Sequence, residues 1–72
     1  MKHLRIGTPV IVYIPIKDRA AHAPIVKYHG EEMLIANRKG ADKVDHAYYE
    51  LLGAESDFGI PYAFVREWLI PV

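Results

Sequence analysis

The stretch that decides the fold is "GIPYAFVREWLIPV", Gly59 to Val72. It is apolar enough to be core, yet it holds two prolines and no clean period. Phe64 with Trp68, and Val65 with Leu69, stand at helical spacing. The run Ala63 to Leu69 is too short for an independent helix. The apolar groups are best used if Pro61 halts a strand, one helical or 3₁₀ turn follows, and "LIPV" closes as a short strand. Pro71 then guards that strand's edge, a position proline tolerates.

Working outward, the preceding segments read as the partners of this ending. "HAYYELLG", His46 to Gly53, alternates as a strand, with Tyr49 and Leu51 inward and Tyr48, Glu50 and Leu52 outward. "EMLIANRK", Glu32 to Lys39, reads as a strand centred on Leu34 and Ile35, and the polar run Lys39 to Asp45 as the loop between hairpin arms. "VIVYI", Val10 to Ile14, is β-branched and bracketed by Pro9 and Pro15, which marks a strand with protected ends. "PIVKYHG" reads as a further short strand with Val26 and Tyr28 inward, ended by a tight turn or bulge at Gly30–Glu31. Lys17 to Ala23 reads as a loop with a helical turn at Arg19 to Ala21. The sum is an all-β chain, residues 1–72 as one domain, with five short antiparallel strands rolled into a barrel because closure removes exposed edges.

The bulk composition narrows the function. The chain has 72 residues, no cysteine and 51% hydrophobic side chains. So small a body buries a limited share of its surface, and the apolar excess points to self-association. Nine basic and nine acidic residues give zero net charge. That argues against nucleic acid, whose binders neutralise phosphates with Lys and Arg, and against an anionic membrane surface. No run approaches the roughly 20 apolar residues that span a bilayer. The start, "MKHLRIGTPVIVYIPIK", lacks the apolar length and cleavage site of a secretory signal. Together with the lack of cysteine, this reads as a cytoplasmic protein.

Catalytic constellations are missing from the pattern. His3, His22, His29 and His46 show no metal-ligand spacing, so they read as surface or loop imidazoles. Ser56 sits in "AESDFG", where Ser and Asp suit turn chemistry better than nucleophilic attack. Glu31 and Glu32 adjoin, which in a strand sends them to opposite faces. No glycine-rich phosphate cradle occurs, and no cofactor or metal is expected.

The ending also resembles a known fold family. Gly59, Ile60, Pro61, Phe64, Val65 and Leu69 match the glycine, apolar residue, proline, short turn and closing strand of Src-homology-3-like (SH3-like) small barrels. Tyr49, Leu51 and Gly53 match the fourth-strand pattern of such barrels in small bacterial, phage and integron-cassette proteins. The resemblance covers about the C-terminal third. It implies a five-stranded barrel with a 3₁₀ turn before the last strand, and for peptide-binding members an aromatic-lined groove. On this sequence that groove would use Tyr13, Tyr62 and Trp68, rimmed by Arg66 and Glu67. The Ala-Leu-Tyr-x-Tyr opening and the acidic ligand-reading loop of those members are absent. The function that follows is a non-enzymatic protein-interaction module whose partner is a protein or peptide, first of all itself. The alternative is a small oligomeric enzyme with a site between subunits, similar in assembly to plasmid-type dihydrofolate reductases. Their glutamine-containing pore motif has no counterpart, since the chain contains no glutamine.

Overall fold

The computed structural model describes residues 3–40 and 47–72. Five strands form one antiparallel sheet: β1 (Pro9–Val12), β2 (Glu32–Gly40), β3 (Ala47–Leu51), β4 (Phe64–Val65) and β5 (Leu69–Pro71). Their order across the sheet is β4-β3-β2-β1-β5. The all-β expectation holds, as does the turn before the last strand, a 3₁₀ turn at Arg66–Trp68. Hydrogen bonding does not close the sheet, which departs from the closed barrel. β4 and β5 stand at opposite ends of the order, joined by the 3₁₀ turn at Arg66–Trp68, which turns the chain out of β4's ladder with β3 and into β5's ladder with β1 and sets up no pairing between the two strands.

β1 is the middle of one half of the sheet. It pairs with β2 on one side (Pro9 opposite Leu34, Ile11 opposite Glu32) and with β5 on the other (Ile11 opposite Ile70, Val12 opposite Leu69). β2 serves two neighbours in succession. Its first residues pair with β1, and Ile35 to Gly40 pair with β3 after a register shift between Ile35 and Asn37. Such an irregularity bends a strand and increases its twist, which lets one strand of nine residues join both halves.

Side-chain alternation sends Val10, Val12 and Ile14 inward from the β1 segment and Tyr49 and Leu51 inward from β3. Ile25, Ile35, Ala54, Phe64, Trp68 and Leu69 complete the buried cluster. The inward assignment of Tyr49 and Leu51, with Tyr48 and Leu52 exposed, agrees with the period of two in the sequence. Of the loop expected over Lys39 to Asp45, Lys39 and Gly40 instead continue β2, paired with Tyr48 and Ala47 of β3; residues 41–45 and His46 lie outside the described residues.

Two local readings are corrected. Residues Ala23–Tyr28 form a 3₁₀ helix and no strand. Pro24 stands at its first turn, where a missing N–H costs nothing, and Ile25 is the buried side chain while Val26 and Tyr28 are half-buried. The helical turn expected at Arg19 to Ala21 begins earlier, as α1 (Ile16–Arg19), directly after Pro15. Gly30 then reverses the chain into β2 at φ +83°, a conformation L side chains rarely adopt, and its N–H donates to the Val12 carbonyl at 2.7 Å.

The Tyr49 phenol fastens the segment before β1 across the sheet. Its fully buried hydroxyl accepts the Leu4 N–H at 3.0 Å and hydrogen-bonds His3 Nδ1 at 3.3 Å. Removing it leaves the Leu4 amide without that acceptor. Tyr49→Phe should cost about 1 kcal/mol, lowering the melting temperature by roughly 4–8 °C in a domain of this size. Thermal denaturation followed by circular dichroism checks this, and an unchanged midpoint would count against the tether.

Candidate functional site

The five residues expected to form an aromatic face take unequal positions. Trp68 is not a surface ring: it is 3% exposed and sits in the closing 3₁₀ turn with its indole turned into the core. Its Nε1–H donates to Asp18 Oδ2 at 3.2 Å, and the His22 ring meets it edge-on at 4.9 Å between centroids. Asp18 lies on α1, so the segment after β1 folds down over the turn before β5. Buried indoles take a polar partner for their N–H, and here that partner is 50 positions away.

Tyr13 is 49% exposed and follows β1 on its outer face. Its N–H donates to the Trp68 carbonyl at 2.7 Å, which extends the β1–β5 contact past the end of the strands. Tyr62 is half-buried and faces Tyr28, whose ring lies 6.2 Å from it and 6.2 Å from that of Phe64. The structure therefore gives Tyr13 and Tyr62 different ring neighbours, Tyr13 resting on His29 at 5.2 Å. Arg66 Nη1 donates to the Leu69 carbonyl at 2.8 Å, so this side chain braces the turn, and Glu67 is exposed beside it.

What the sequence reading did not single out is an apolar face on the outer side of β5-β1-β2. Directly opposed residues of antiparallel strands share a face. One row runs Leu52, Leu34, Pro9, Val72, linked by Leu52 N–H to the Leu34 carbonyl and Val72 N–H to the Pro9 carbonyl. The next row runs Glu32, Ile11, Ile70. Apart from half-buried Pro9, every apolar member is exposed. Leu52 and Val72 are the most open, at 65% and 70%. Glu32 is the one charged group in the rows. A signal for this face exists in the sequence, because "VIV" puts one aliphatic outward for every two inward, but its partners on β2 and β5 become visible only with the register.

Elsewhere, an open depression of about 550 Å³ is lined by His3, Leu4, Arg5, Ile6 and Arg38. Both arginines that line it are exposed, and no buried polar side chain among the described residues lacks a hydrogen-bond partner. Ser56 acts as read from the sequence: its Oγ accepts the N–H groups of Phe58 and Ile60 at 3.3 and 3.2 Å, holding a turn. No group of three or more metal-ligating side chains occurs among the described residues. Nor is any described helix long and apolar enough to cross a membrane. Comparison of the chain with family models, curated proteins and solved structures finds no match.

Trp68 is the chain's one tryptophan, which makes its burial measurable. Native fluorescence should resist acrylamide quenching until the protein unfolds. Asp18→Ala should lower stability by about 1 kcal/mol, the usual net worth of one hydrogen bond. Ready quenching in the native state would place the indole outside the core.

Proposed function

We propose that this chain is a non-enzymatic protein-interaction module with an SH3-like topology, and that its first partner is a second copy of itself. The topology is supported by the strand order, in which β5 returns beside β1 after a 3₁₀ turn. It is also supported by Gly59 at φ +75°, the glycine of the matching motif in a backbone conformation that suits glycine.

The observation that carries self-association is the outer apolar face. Ile11, Leu34, Leu52, Ile70 and Val72 together expose on the order of 400–500 Å² of apolar surface, toward the upper end for the largest patch on a monomer. Two such faces apposed would bury on the order of 1,000 Å², the lower bound for a specific interface. A twofold axis suits this case, since one self-complementary patch then serves both subunits. The near absence of charge removes the desolvation penalty that would oppose stacking, and leaves Glu32 at the rim. Tyr13 continues the same face from β1, with Tyr62, Arg66 and Glu67 as further contact groups around the closing turn.

Sedimentation equilibrium tests the reading. The wild-type protein should show concentration-dependent association that changes little with salt, because the contact is apolar. Ile70→Lys or Leu34→Lys should weaken it at least tenfold while leaving the melting curve near its original position, both side chains being outward. A mass of 8.2 kDa at every concentration up to about 1 mM, the loosest end of specific binding, would overturn it.

A further inference from the structure

The turn between β3 and β4 carries an inference that does not depend on the outer apolar face. Phe58 is 90% exposed, more than any other large apolar side chain described, and nearby Ile60 is 64% exposed. The backbone under them is pinned. Ser56 Oγ accepts the N–H groups of Phe58 and Ile60. Ser56 N–H donates to the Ile60 carbonyl and Gly59 N–H to the Ser56 carbonyl, both at 2.9 Å, and Glu55 bridges to Pro61. One exposed apolar ring is ordinary on any surface. A ring carried on a turn tied in this way is a preorganised knob, which loses little freedom when it is covered. The exposed side chains of Glu55 and Asp57 flank it, and neither forms an ion pair among the described residues.

The same chain holds a counterpart to this knob. The open depression of about 550 Å³ is lined by apolar Leu4 and Ile6 and by basic Arg5 and Arg38, with His3. Its volume lies in the range that takes a drug-sized molecule, so a phenyl ring has room. Ile6 is 67% exposed, an aliphatic group that the fold leaves uncovered. Neither arginine forms an ion pair among the described residues. Knob and depression therefore match twice, apolar to apolar and two carboxylates to two guanidiniums. Opposite charges at the rim of a contact fix partner and register more than strength. A lipid surface is the poorer occupant, because anionic headgroups repel the two carboxylates beside Phe58.

We propose that Phe58 of one copy seats in the Leu4 and Ile6 depression of a second copy, with Glu55 and Asp57 facing Arg5 and Arg38. Two different surfaces meet, so the contact is heterologous and joins copies head to tail. It shares no residue with the face of Ile11, Leu34, Leu52, Ile70 and Val72, so either contact can exist without the other. With one ring and its neighbours at its centre, it is the smaller and weaker of the two.

The test is a complementation titration followed by amide proton–nitrogen correlation spectra, at low ionic strength, where rim charges are least screened. Every chain carries Ile70→Lys, which removes the apolar-face contact. One chain, labelled with nitrogen-15, adds Phe58→Ala and keeps the depression. The other, unlabelled, adds Arg5→Glu and Arg38→Glu and keeps the knob. All of these side chains are exposed, so both chains keep the fold. Each alone should give spectra that do not change with concentration up to about 1 mM. On mixing, the amides of Leu4, Arg5, Ile6 and Arg38 should shift saturably. Phe58→Ala in the unlabelled chain as well should weaken this about thirtyfold, the effect of truncating a hot-spot side chain. A chain with Arg5→Glu, Arg38→Glu, Glu55→Lys and Asp57→Lys should regain association with itself and leave the labelled chain unshifted. Phosphatidylcholine vesicles, added to the Ile70→Lys chain with its knob intact, should leave the amides of Phe58 to Ile60 in place. A depression unshifted on mixing, shifts that a titrant without Phe58 reproduces, no recovery on reversing all four charges, or binding of the Phe58 turn to the vesicles in place of a second copy would each overturn the proposal.

Discussion

β1 is the strand on which the other features depend. It is hydrogen-bonded on both edges, to β2 and to β5, and its segment puts three aliphatic side chains into the core at Val10, Val12 and Ile14. Full burial of a Val or Ile side chain is worth about 1.5–3 kcal/mol. Loss of this strand would therefore remove a large part of the stability open to so small a chain. The same strand presents Pro9, Ile11 and Tyr13 on its other side, so the strand that fixes the core also frames the exposed face. Where it ends, the Ile14 peptide positions His29 and Arg19. Core, exposed apolar face and the clasp of His29 and Arg19 on the Ile14 peptide thus all follow from one ladder.

Among the rings that carry a polar group, the two buried ones have a polar partner supplied by the fold. Trp68 and Tyr49 are each large rings with one polar group, and each is buried because that group is answered, by Asp18 in one case and by Leu4 and His3 in the other. Tyr13 has no comparable phenol partner among the described residues and stays half outside, against His29. Burial of Trp68 and Tyr49 goes with hydrogen bonding at long sequence separation, whereas Phe64 is buried with no polar group to satisfy.

This explains how far the sequence could be read. Period-two alternation placed Tyr49 and Leu51 correctly, and the Gly-Ile-Pro ending marked the 3₁₀ turn and the closing strand, because both signals are local. "PIVKY" failed as a strand because its β-branched residues argued one way while Pro24 and a buried Ile25 were satisfied by a helical turn. Trp68 failed as a surface ring because its acceptor comes from α1, and no local pattern announces that pairing. The His29 and Arg19 arrangement was invisible for the same reason, since it is built on the Ile14 peptide 15 and 5 positions away. The outer face required the register of three strands, which a single sequence does not specify.

The pairing of the first strand with the last has a further meaning for synthesis. β1 has its full set of partners only once the chain has been made through residue 71. As the polypeptide emerges from the ribosome, Val10, Val12 and Ile14 stay without half of their sheet until translation has passed that point. Until then the nascent segment keeps these aliphatic groups open to chaperones.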